Sequence, residues 1–238
     1  MAVQIIRGLV AATMIIAACP AHGEEEPVCG FPDLSMNPVI ALGHIASGSA
    51  RVHFLKNPTM PGCPSATPAC TERAYVVPGD RVFVSIRRDA FVCATFVNAK
   101  GDDYSGWVPA DAVAYDKQES VTPSGWVGKW SRHEADIRVK PTKGGGLEIE
   151  GDATFGAHDP ARVQRGAVNS GEISAEVTPA GDRLSFAESE NGTLPVDQGG
   201  EFSCRVWMRR VGPWLLVYDN KNCGGFRVTF RGIYTSKP

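Results

Sequence analysis

Apolar and polar residues alternate along this chain in short runs, and no long stretch keeps the period of an amphipathic helix. Successive side chains of a strand point to opposite faces, so an alternating run buries one face and wets the other. Val82-Phe83-Val84-Ser85-Ile86 is such a run, and others lie at 91–97, 147–150, 202–208, 214–218 and 226–234. The 26 glycines and 17 prolines break the chain between them, and Gly-Asp pairs at 79–80, 101–102, 151–152 and 181–182 supply turns. Many short strands with frequent turns predict an all-β chain made of small antiparallel barrels.

The N-terminus reads as an export signal. Arg7 precedes an apolar run at 9–18, small residues follow at Ala21 and Gly23, and Glu24-Glu25-Glu26 comes next. The run is about half the ~20 residues that a bilayer crossing needs. Residues 1–23 are therefore expected to be a removable leader, and the mature chain to be periplasmic or extracellular with no transmembrane segment. Ile16-Ala17-Ala18-Cys19 also resembles the lipobox of bacterial lipoproteins, which implies an acylated Cys19 and attachment to the outer membrane. Cleavage after Ala21 or Gly23 is the alternative.

Cysteine parity agrees with export. Of seven cysteines, Cys19 leaves with the leader or is blocked by lipid, and the remaining six suit three bridges. Cys63 and Cys70 flank a Pro-rich loop and are expected to pair locally. Cys204 and Cys223 lie on neighbouring C-terminal segments, which leaves Cys29 and Cys93 to pin an N-terminal arm. No Cys-x-x-Cys is present and no His stands at ligand spacing from these thiols, so no metal is expected. The net charge of −2 gives no reason to expect nucleic acid as a partner.

The organisation expected is an irregular arm at 24–44, a first domain at 45–116, a polar linker at 117–125 and a second domain at 126–238. In the first domain, Tyr75-Val76-Val77-Pro78-Gly79-Asp80-Arg81-Val82 and Gly106-Trp107-Val108-Pro109-Ala110-Asp111-Ala112-Val113 frame a central strand at 91–97. This pattern resembles the bacterial SH3-like domain over about 60 residues, with the Cys63–Cys70 loop as a departure. The resemblance implies a small barrel that binds cell-wall peptide or other proteins through an aromatic-lined groove. The candidate groove residues are Tyr75, Tyr104 and Trp107, with a core role as the alternative for Trp107.

In the second domain, Gly125-Trp126-Val127-Gly128-Lys129-Trp130 is similar to the opening of lipocalin-like barrels, in which an early Trp closes the bottom. Residues 215–234, with Asp219-Asn220, Cys223-Gly224-Gly225 and Phe230-Arg231-Gly232-Ile233-Tyr234, resemble the closing hairpin of a group of secreted bacterial proteins of no assigned activity. Asp219-Asn220 and Gly224-Gly225 tolerate a left-handed backbone, which predicts a tight turn. Val228 and Phe230 then face the core, with Arg227 and Arg231 on the other side. Arg205 and Arg209 fall in step with Trp207. From Gly199 to Pro238 there are seven basic and two acidic residues, either a solvated face or a contact surface for an acidic partner.

Catalytic patterns are missing from the sequence. His44, His53, His133 and His158 have no Gly-x-Ser-x-Gly or His-Glu-x-x-His near them, and no Gly-rich loop follows a strand to open a helix. The chain is read as a non-enzymatic binding protein of the cell envelope with no cofactor, recognising wall material such as peptidoglycan or an envelope protein. An inhibitor or immunity protein against a lysozyme or amidase is the alternative. A small-ligand carrier is a third reading, resting on Trp126 and Trp130.

Overall fold

The computed structural model describes residues 26–36, 38–48, 51–98 and 100–237. The expected leader and Cys19 lie outside them. The chain forms two all-antiparallel sheets. The first contains β1 (Ala41–Ile45), β2 (Val52–Leu55), β3 (Thr71–Val76), β4 (Arg81–Arg88), β5 (Phe91–Val97), β6 (Asp103–Pro109) and β7 (Val113–Tyr115), in the order β3-β2-β6-β5-β4-β1-β7. Its first strand begins at Ala41, inside the stretch expected to be irregular. Val52, Phe54, Val76, Val82, Val84, Val92, Ala94 and Val108 point to one face and form its core.

The second sheet contains β8 (Gly128–Arg132), β9 (Ala135–Pro141), β10 (Leu147–Phe155), β11 (Asn169–Val177), β12 (Arg183–Ser189), β13 (Gly192–Leu194), β14 (Arg205–Val211), β15 (Trp214–Asp219) and β16 (Gly232–Lys237). Its order is β11-β10-β9-β8-β16-β15-β14-β12-β13. The last strand pairs with the first, Thr235 opposite Ser131, so the sheet curls into a nearly closed barrel. At the remaining seam, side chains stand in for a ladder. Glu188 accepts from the Ser174 N–H, and Thr193 Oγ1 accepts from the Glu176 N–H at 3.0 Å. One short helix, α1 (Pro160–Gln164), sits between β10 and β11, capped by the Asp159 carboxylate.

One turn and one strand expectation are corrected. Gly151-Asp152 lies inside β10, paired with Ile173 and Glu172. A Cβ at Gly151 would sit 2.8 Å from Ile173 Cγ1 and 3.1 Å from Phe230 Cε1, so the glycine makes room in the barrel interior. The expected strand at 226–234 is strand only from Gly232, and residues 220–231 run as an irregular loop.

The barrel interior is filled by Trp126, Leu147, Phe186, Met208, Phe230 and Tyr234, all fully buried. Trp126 donates to Gly181 O at 3.0 Å, and Trp130 donates to Trp126 O at 3.0 Å. This packing closes the end of the barrel where β8 begins. Leu216 and Ile233 point the other way, out of the barrel, and so does Phe83 from its own sheet. Together with Phe31, Leu34 and Ile40 of the arm they form a further apolar cluster. The two sheets are thus joined back to back, with the arm wedged along the joint.

The bridges are Cys29–Cys93, Cys63–Cys70 and Cys204–Cys223. Arm residue Cys29 also bonds through its N–H and C=O to the Asn57 amide, at 2.6 and 3.0 Å.

Candidate functional site

The three aromatic candidates of the first sheet do not come together. Trp107 is fully buried beneath the arm, against Cys29, Leu55 and Cys93, and donates to Asn57 Oδ1 at 2.8 Å. Tyr75 stands opposite His53 on an outer face, half-exposed, with the Arg51 guanidinium 4.5 Å from its ring centre. Tyr104 packs on Phe54, 4.8 Å between ring centres, and Phe54 belongs to the core on the other face. Burial and the carboxylate of Glu72 raise the Tyr104 phenol above its ordinary value. The period of two sets Tyr104 on the face opposite Tyr75 and Trp107, and the arm covers Trp107, so the three line no common groove.

The basic hairpin is divided in the same way. Arg209 is buried, paired with Asp182 at 2.9 Å, and donates to Pro38 O of the arm. Its neighbour Arg210 is buried too, 4.1 Å from the Trp130 ring centre. Arg205 is half-buried and donates to Gly199 O and Gly200 O at 2.6 and 3.1 Å. Arg231 is exposed and lies 4.8 Å over the ring of Phe31. Arg227 is exposed, 4.6 Å from the Phe155 ring centre, with Arg162 at 4.5 Å from the same ring. Of the four arginines expected from the sequence, Arg205, Arg209, Arg227 and Arg231, only Arg227 and Arg231 face solvent, and Arg209 serves as an internal tie.

What the region builds is a rigid rim at the end of the barrel away from Trp126. Asp219, almost fully buried, is its hub. Its carboxylate accepts from the N–H groups of Lys221 and Phe230 and from Thr229 Oγ1, which clamps both ends of the 220–231 loop. Lys221 and Arg227, not the glycines, take the left-handed backbone, at φ 65° and 68°. Gly224 is there for close approach, since a Cβ on it would meet Gly171 Cα at 2.7 Å and Ser170 O at 3.0 Å. Gly225 N–H donates to Ser170 O at 3.0 Å, and the Asn169 amide donates to Phe226 O at 2.8 Å. On the other side Asn222 donates to Glu201 O at 3.3 Å, and the Cys204–Cys223 bridge ties the two loops.

On this rim Phe202 is 82% and Phe226 80% exposed, the most exposed large apolar side chains of the described residues. Both had been expected to open alternating strands. The visible cue was a Phe beside a Gly-rich, cysteine-stapled segment, but only the loop geometry turns it outward.

Among the described residues no group of three or more His, Cys, Asp or Glu could hold a metal ion. His133 and His158 meet edge to face at 4.7 Å between ring centres. No helix among the described residues is long and apolar enough to cross a membrane. Compared with known proteins, the chain matches no protein family, no curated protein and no solved structure.

Proposed function

We propose that this chain is an exported, non-enzymatic binding protein of the cell envelope that holds a protein partner on the stapled rim of its second barrel. The observation that carries the reading is the pair of outward phenylalanines, Phe202 and Phe226, on two loops tied by Cys204–Cys223 and flanked by Lys221 and Arg227. Leaving a Phe side chain in water forgoes about 1.5–3 kcal/mol of burial. Loops already held by a bridge and by backbone bonds lose little entropy on docking. Aromatic and arginine side chains are the usual anchors of protein interfaces. The leader-like N-terminus and three bridges suit an oxidising compartment outside the cytoplasm. Wall-peptide recognition through the SH3-like reading rested on a shared aromatic groove, and the placement of Tyr75, Tyr104 and Trp107 does not favour it. Side chains fill the barrel interior, which does not favour carriage of a small ligand inside it.

The test is capture from envelope extract, beside co-sedimentation with peptidoglycan sacculi. Wild-type protein is expected to retain a partner that the Phe202→Ser/Phe226→Ser variant loses, while the variant unfolds at the same denaturant concentration. Equal capture by both proteins, or retention on bare sacculi alone, sinks the proposal. The rigid Phe226-Arg227 tip also suits insertion into an acidic enzyme cleft. In that case a lysozyme or amidase is inhibited by the wild type and released by Phe226→Ser or Arg227→Glu.

A further inference from the structure

A second surface owes nothing to the rim. Where the two sheets meet, the end of β5 and the loop after it face β8, β15 and β16 across a cleft of about 430 Å³. That volume is in the range of small-ligand sites, roughly 300–1,000 Å³. Its apolar wall is made by Phe96, Trp214 and Ile233. Phe83 fixes the indole edge to face, with 5.4 Å between ring centres and 82° between planes. Arg81 and Lys100 supply positive charge, while Arg132 lines the facing wall with its guanidinium bonded to His133 O and Thr229 O and set over the Tyr234 ring. Arg81 and Lys100 are exposed, and the Arg81 guanidinium lies 5.5 Å from the Trp214 ring centre. No carboxylate lines the cleft among the described residues. Of the acids that adjoin lining residues in sequence, Asp80 accepts from the Val77 N–H at 2.8 Å and Glu134 from the His158 N–H at 3.3 Å. Asp102 accepts from the Asn98 amide at 3.0 Å, and Asp136 accepts from the Ser131 hydroxyl.

We infer that this inter-sheet cleft is a binding site for a carboxylate joined to an apolar group, with the anion held by Arg81 and Lys100 and the apolar part against Phe96 and Trp214. A groove with cations and no carboxylate in its lining attracts an anion and penalises a neutral or cationic ligand. Arginine suits the task because its planar fork matches a carboxylate and stacks on aromatic faces. Two sources carry this chemistry, the C-terminal end of a peptide and the head of an acyl chain.

Calorimetry on the disulfide-intact protein separates them, using N-acetyl-Ala-Phe, its C-terminal amide and decanoate as probes. At least one carboxylate probe is expected to bind, the amide about tenfold or more weaker than the acid, and Arg81→Glu/Lys100→Glu to weaken the bound carboxylate by at least about tenfold. Whichever carboxylate binds more tightly identifies the source. The Phe202→Ser/Phe226→Ser variant is expected to bind the probes as the wild type does, so failure at the rim and failure at the cleft are told apart. The inference is overturned if no carboxylate binds at millimolar concentration. It is also overturned if acid and amide bind alike, or if the charge-reversed variant, with an unchanged thermal midpoint, binds as well as the wild type.

Discussion

Arg210 shows how far a single residue can depart from the face its charge suggests. It follows Arg209 at the end of β14, yet its guanidinium is buried at the closed end of the barrel. There it donates to Gly125 O, Gly212 O and Trp214 O at 3.0, 3.1 and 2.5 Å and lies over Trp130. Burial pushes it down to about 10, while three carbonyl acceptors and the indole face stabilise the cation. Truncating it strands those carbonyls. Arg210→Met is expected to lower unfolding free energy by about 3 kcal/mol in a urea titration, whereas exposed Arg227→Met changes it by less than about 0.5 kcal/mol. The contrast marks what alternation could and could not reveal. Arg205, Trp207 and Arg209 do share a face, as their spacing implies. That face is covered at Arg209 by the arm, from 171 residues away in the chain.

At the level of elements, the seam that β11 makes with β12 and β13 carries side-chain acceptors in place of a backbone ladder. Glu188 is raised above the ordinary glutamate range by burial, against the lowering effect of the Ser174 N–H. In the folded state it therefore holds its proton to higher pH than in the unfolded chain, and its contribution is lost as pH rises through the folded value. Glu188→Gln keeps the acceptor and removes the titration. The stability of the wild type relative to this variant is expected to fall as pH rises above the unfolded glutamate value of about 4, measured by paired denaturant titrations. A relative stability that rises over that window contradicts the assignment. Strands β4, β5 and β15 were legible because each alternates or runs apolar for five residues or more, whereas β10 was legible only over 147–150, because Gly151-Asp152 inside it has the composition of a turn. The segment at 220–231 was not, because its apolar residues Val228 and Phe230 reach the core from a loop held by Asp219 rather than from a ladder.

For the whole molecule, the arm joins the parts. Phe31 and Leu34 enter the joint between the sheets, Tyr218 donates to Asp33 at 3.0 Å, and Arg88 pairs with Glu26 through bonds of 2.7 and 3.1 Å. The Cys29–Cys93 bridge holds this arm over Trp107 across a separation of 64 residues. On the chain-entropy relation a loop of that size is worth about 4 kcal/mol. Cys29→Ser/Cys93→Ser is expected to lose up to that amount in thermal unfolding and to become sensitive to proteolysis within the arm. A variant as resistant as the wild type would show that the bridge only decorates an arm already fixed by packing.

By itself, the sequence determined the all-β character, the turns at 79–80, 101–102 and 181–182, and the pairing of six cysteines. The first two and the pairs Cys63–Cys70 and Cys204–Cys223 follow from alternation, backbone permissiveness and chain position, all of which act over short distances, and Cys29–Cys93 is the pair left over. Only the tertiary structure decided which polar face is wet. Alternation says that Phe83, Leu216 and Arg209 lie opposite a core, but not that a second sheet or an arm covers that opposite side. The outward Phe202 and Phe226 and the cationic inter-sheet cleft arise from packing between segments far apart in the chain, and no local pattern encodes such contacts.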